Sequence, residues 1–96
     1  MAVQSENHVA RRFEVFGRVQ GVGFRYFAHQ TASALDLCGW VRNRPDGSVE
    51  AWAEGPPAVI EQFRAALSRG PRMSRVDRLE QFPVSPASYD AFRVTN

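Results

Sequence analysis

Ninety-six residues suffice for one domain, and 12 basic against 10 acidic residues leave a formal net charge of only +2, too small to act as a nucleic-acid footprint by itself. A single cysteine, Cys38, excludes an internal disulfide and requires no oxidising compartment. No apolar run is long enough to cross a bilayer, and Met1 to Ala10, with Glu6, Asn7 and His8, is too polar for a signal peptide, so a soluble cytoplasmic domain is expected over residues 12–96 behind a flexible arm at 1–11.

The first strand is expected from Arg12 to Val19, where Phe13, Val15, Gly17 and Val19 alternate on one face. A short glycine-bearing turn follows, and then Phe24, Phe27, Ala28, Thr31, Ala32 and Leu35 recur at helical spacing. Cys38 to Asn43 reads as a second strand, and Asn43-Arg44-Pro45-Asp46-Gly47 as a tight reversal into a third at Ser48 to Glu54. Along that third strand Val49, Ala51 and Ala53 alternate with Glu50, Trp52 and Glu54, which leaves Trp52 in phase with two glutamates and open to partial exposure. Gly55-Pro56-Pro57 breaks it. A second helix starts near Ala58, carries Val59, Phe63, Ala66 and Leu67 on one stripe, and stops at Arg69-Gly70-Pro71. Arg75 to Phe82 is a fourth strand, and Phe92 to Thr95 a short terminal one that either joins the sheet edge or floats.

The resulting βαββαβ order, with a small extra strand, is that of an α+β ferredoxin-like sandwich: an antiparallel sheet with two helices on one face. Its topology inserts the third strand between the first two, so those two run parallel and end on the same edge. The turn after the first strand and Asn43 at the end of the second then lie about two strand spacings apart, roughly 9.5 Å between backbones. One phosphoryl group and one water fit that gap.

The turn is where chemistry concentrates. Gly21 and Gly23 permit positive φ and close approach of a ligand, so the amides of Gln20, Gly21, Val22, Gly23, Phe24 and Arg25 can converge on an anion. The first helical turn adds unpaired N–H groups and the positive end of its dipole. A cation inside that turn, Arg25, is disfavoured by the dipole by about 0.3–1 kcal/mol, which suggests that an anionic ligand offsets it. All the basic residues are arginine, whose planar fork suits phosphate or carboxylate, although codon bias is the simpler account of the missing lysines.

Val19-Gln20-Gly21-Val22-Gly23-Phe24-Arg25, followed by Gly39-Trp40-Val41-Arg42-Asn43 and Asp46-Gly47-Ser48-Val49-Glu50, resembles the two signature segments of the acylphosphatase family. The similarity runs from Arg12 to Val94. It implies an acylphosphatase-like fold and hydrolysis of acyl phosphates to a carboxylate and inorganic phosphate without metal or organic cofactor. By position, Arg25 matches the family's phosphate-binding catalytic arginine and Asn43 its water-orienting asparagine. The implied partners are a small-molecule acyl phosphate, and phosphate or similar anions as product or inhibitor. No nucleic acid or membrane is implied, and a monomer is expected. Asp36 departs from the glycine usual after the first helix, and aspartate tolerates a left-handed cap less well.

Duller readings stand beside these. Gly21 and Gly23 alone could be a plain strand-to-helix turn, Arg25 a solvated helix-end residue, and Asn43 or Asp46 turn formers. Cys38 reads as a small buried hydrophobe. His8, in the arm, and His29, off the apolar stripe of its helix, have no second ligand at metal spacing, so no metal is assigned. Alternatives to an enzyme are a silent anion sensor, a stand-alone relative of the acylphosphatase-like domain fused in hydrogenase-maturation carbamoyltransferases, and an RNA-binding βαββαβ module. In the last, Phe24 and Phe27 would have to sit on a central strand rather than on a helix.

Overall fold

The computed structural model describes residues 8–95. Seven elements follow one another: β1 (Val9–Arg18), α1 (Phe24–Ala34), β2 (Cys38–Asn43), β3 (Val49–Gly55), α2 (Pro57–Arg69), β4 (Arg75–Val84) and β5 (Phe92–Thr95). The strands form one sheet in the order β4-β1-β3-β2-β5. As expected, β3 lies between β1 and β2, antiparallel to both. The terminal strand does not float: β5 adds to the β2 edge in parallel, from Gly39 opposite Phe92 to Arg42 opposite Thr95. The sheet is therefore mixed at that edge rather than wholly antiparallel.

β1 begins three residues before Arg12, because Val9, Ala10 and Arg11 already pair with Gly55, Glu54 and Ala53. The remainder of the expected arm, residues 1–7, lies outside the described residues. β4 likewise runs on to Val84, paired with Ala10.

Alternation in the strands decides the core. Phe13 and Val15 of β1, Val41 of β2 and Val49, Ala51 and Ala53 of β3 face the helices and are fully buried. Phe24, Ala28 and Ala32 of α1 and Ile60, Phe63 and Leu67 of α2 pack onto them from the same side. Phe63 stands at the centre, edge-on to Phe13 at 5.7 Å and to Phe92 at 5.8 Å between ring centroids. Burying Phe92 is what seats the four-residue β5, since a strand that short has few ladder bonds of its own.

α1 ends in a Schellman cap: Leu37 donates its N–H to the carbonyl of Ala32 at 2.9 Å, and Asp36 donates to Ser33 at 3.1 Å. Asp36 occupies the left-handed position of that cap, with φ 58°. No helix among the described residues is long and apolar enough to cross a membrane.

The opposite face of the sheet is covered more fully than alternation implied. Trp52 is not left partly exposed but is buried, its ring edge-on to Tyr89 at 4.9 Å. Glu54 is buried beside it and accepts backbone N–H bonds from Ala87, Ser88 and Tyr89, which pins the segment between β4 and β5 across the sheet. Glu50 is buried under guanidinium groups, Arg42 Nε at 2.7 Å and Arg12 Nη1 at 3.0 Å. Cys38 is half-buried rather than enclosed, and burial pushes its thiol pKa up.

Candidate active site

β1 delivers the chain into a bend at residues 20–23 and then directly into α1. Gly21 and Gly23 take φ of 76° and 78°, a left-handed conformation that glycine reaches without steric cost. A Cβ at either would meet nothing within 4 Å, so the requirement there is backbone conformation and not space. Gly23 is the N-cap of α1 and supplies no side-chain oxygen, nor is there an acidic residue in the first turn. The first-turn N–H groups accordingly keep their donors for another acceptor, in the positive field of the helix end.

The bend and the end of β2 share one open cleft of about 340 Å³, lined by Val19, Gly21, Gly23, Phe24, Arg25, Tyr26, Asn43 and Val94. Arg25 and Asn43, predicted from separate segments, thus meet at a single site. The strand order is the reason: β1 and β2 flank β3 and run the same way, so the turn leaving β1 and the last residue of β2 emerge on one edge. Asn43 pairs with Val49 in the ladder and has the same parity as the buried Val41, which turns its side chain toward the helix layer where α1 begins.

Arg25 is half-buried, and its Nη1 approaches the carbonyl oxygen of Thr95 at 3.4 Å, a long contact at the end of β5. Among the described residues it has no carboxylate within ion-pair distance, unlike Arg12, Arg42 and Arg44 on the other face. The Asn43 carboxamide makes none of the side-chain hydrogen bonds found among the described residues.

Gln20 plays a part that its sequence position did not reveal. Its side-chain amide donates to the carbonyls of Arg44 and Ser48, both at 2.8 Å, and so ties the bend to the turn that follows Asn43. Only its main-chain N–H remains to face an anion. The turn is itself held by many bonds. Arg44 N–H donates to the Ser48 carbonyl at 2.9 Å and Gly47 N–H to the Arg44 carbonyl at 3.1 Å. Asp46 Oδ1 accepts from Ser48 N at 2.9 Å and from Ser48 Oγ at 2.6 Å, bonds that hold its carboxyl pKa below the usual range. Asp46 is thereby a turn former, as its duller reading had it.

Behind the turn, Glu14 accepts from Arg12 at 2.5 Å and from Arg44 at 3.2 Å. The Arg12 bond, with Arg44 nearby, lowers the Glu14 pKa. Glu14 was not singled out in the sequence. The only available signal was that Arg12, Glu14 and Glu50 alternate with core residues, which places them on one sheet face without saying which pairs form. Among the described residues, no group of three or more His, Cys, Asp or Glu is placed to hold a metal ion.

Comparison with known proteins identifies the family and the fold. The family model described as Acylphosphatase matches residues 11–94. The acylphosphatase of Koribacter versatilis is 46% identical over 94 residues, spanning 97% of this chain and 86% of the relative. An acylphosphatase structure from Coxiella burnetii superposes with a TM-score of 0.93 at 33% identity, covering 99% of this chain and 100% of that one. The acylphosphatase structure from Bacillus subtilis gives a TM-score of 0.89 at 39% identity, covering 92% and 99%.

Proposed function

The chain belongs to the acylphosphatase family and hydrolyses the carboxyl–phosphate bond of acyl phosphates to a carboxylate and inorganic phosphate; on that premise we propose which of its groups do the work. The amides of residues 20–25 and the Arg25 guanidinium hold the phosphoryl oxygens, and Asn43 orients the attacking water. The observation that carries the assignment is that Arg25, Asn43 and the two left-handed glycines line the same cleft.

The chemistry asks for no more than this. The leaving group is a carboxylate, whose conjugate acid has a pKa of about 4, so it departs at neutral pH without a dedicated general acid. What remains is to bind the phosphoryl group, stabilise its charge as the bond loosens, and aim a water in line with the departing oxygen. Arg25 offers a bidentate fork and the helix start offers N–H donors. The Asn43 carboxamide can accept from the water and donate to it, which orients but does not deprotonate. The proton then passes to the substrate's own phosphate oxygen. Inorganic phosphate, having the same recognised end, occupies the cradle as product and inhibitor. One chain supplies every group of the proposed site, so a monomer suffices for the reaction, and nothing in the site needs an oxidising environment, which suits the cytoplasm.

Two other readings lose support from specific contacts. An RNA-binding module stacks bases on sheet aromatics, whereas here Phe24 is buried on a helix and Trp52 lies beneath Tyr89. A silent sensor would keep the cradle but would not need Asn43 in the cleft.

The test separates binding from turnover. Arg25→Ala should lower both phosphate inhibition and turnover, the latter by at least ~10²–10³-fold. Asn43→Ala should leave phosphate inhibition nearly intact while kcat collapses. Benzoyl phosphate hydrolysis, with chelator present, reads both; wild-type turnover retained in either variant overturns the assignment.

A further inference from the structure

Four large hydrophobic side chains stand out as exposed among the described residues: Tyr26, Met73, Tyr89 and Val94. Two of them, Tyr26 at 65% and Val94 at 46% exposure, line the cleft that holds Arg25 and Asn43. They come from different elements, Tyr26 from the first turn of α1 and Val94 from β5 beside β2. Neither is needed by the phosphoryl group, which takes charged and N–H partners. The Tyr26 hydroxyl accepts a hydrogen bond from Gln30 Nε2 at 2.9 Å, one turn along the helix. That bond restrains the ring, so an apolar group meeting it would forfeit little rotamer freedom. Among the described residues, Arg25 is the only charged one lining the cleft.

We infer that Tyr26 and Val94 form a platform for the acyl group, so that the preferred substrates are acyl phosphates with an apolar, ring-sized or branched body. The inference rests on the proposed cradle, since it takes the phosphoryl group at Arg25 to fix which end of the substrate reaches the platform. A phosphoryl pocket recognises only the end common to all acyl phosphates. Discrimination among them must come from whatever the acyl group touches next, and the apolar rim is next to it. Because the platform is open on one side, it excludes water less completely than a closed pocket, which keeps its discrimination at the low end of what one or two methylenes confer.

The experiment compares kcat/KM for benzoyl phosphate, butyryl phosphate and acetyl phosphate in the full chain. The last two have leaving groups of similar acidity, so their ratio isolates contact with the acyl chain from intrinsic reactivity. Tyr26→Ala should lower the benzoyl-to-acetyl ratio by roughly 5- to 20-fold. Tyr26→Phe, which keeps the ring and loses the Gln30 bond, should hold it within about twofold. Val94→Thr, of nearly equal shape, should lower the butyryl-to-acetyl ratio by about threefold. Ratios that stay constant or rise in both Tyr26→Ala and Val94→Thr overturn the platform while leaving the hydrolase assignment standing. Failure of the wild type to hydrolyse any of the three is a different result and overturns the site assignment beneath it.

Discussion

Replacing Gln20 by methionine removes one amide group and little else, which makes it a sharp probe of how the two halves of the site are held together. The amide donates to the Arg44 and Ser48 carbonyls at 2.8 Å each. Both oxygens keep another donor, from Gly47 at 3.1 Å and Arg44 at 2.9 Å, so no orphaned acceptor is left behind. The loss is then the net value of two hydrogen bonds, about 1–3 kcal/mol with a centre near 2. For a domain of this size that lowers Tm by roughly 8–16 °C, at about 4–8 °C per kcal/mol. Gln20→Glu, which puts a carboxylate against the same two carbonyls, should fall further. Activity should fall as well, since the bend carrying the cradle and the turn following Asn43 would lose the bridge between them. A displacement of about 1 Å between phosphoryl group and water is enough for ~10²-fold in rate. With Asn43 proposed to orient the water, the damage should appear mainly in kcat, with phosphate inhibition changed less. Thermal melts and steady-state benzoyl phosphate kinetics are the assays. A Gln20→Met protein that melts within about 1 °C of wild type with unaltered kcat would show that the bridge carries no weight.

Three further outcomes are expected. Asp36→Gly relieves a side chain held at φ 58°, a gain partly offset by the freer unfolded chain; the variant should melt about 2–4 °C higher and Asp36→Val lower, and the opposite order in thermal melts would refute the strain. The Glu14 carboxyl has a lowered pKa in the folded protein because Arg12, with Arg44 nearby, favours its charged form. Its stabilisation is therefore complete above the usual glutamate pKa of about 4.3 and is lost as pH falls through the lowered value, so urea midpoints should drop below about pH 4 and drop less in Glu14→Gln. Neither an arginine nor a carboxamide titrates near neutrality, so the kcat/KM profile should be shallow from pH 5 to 8; a bell with a limb near the histidine pKa would point to a base outside the cleft.

The order of elements, the inner face of each strand and the apolar stripes of both helices were legible in the chain, because period-2 and period-3.6 patterns are local properties of consecutive residues. The glycine bend was legible for a similar reason: a left-handed turn running into a helix needs glycines at fixed places, and Gly21 and Gly23 stand there. Even the strained cap at Asp36 could be read from its place after the first helix. Contacts between distant segments were not written this way. That Gln20 spends its amide on the turn beyond Asn43, that Trp52 lies under Tyr89, and that Glu54 holds the backbone of residues 87–89 depend on which strands become neighbours and in what register. The parallel docking of β5 is the clearest case. Four residues carry too little pattern to declare a partner, and only burial of Phe92 against Phe63 and the free edge of β2 decides where they go. By placing Val94 beside Tyr26, that same docking gives the cleft an apolar rim, which no reading of either residue in isolation could supply.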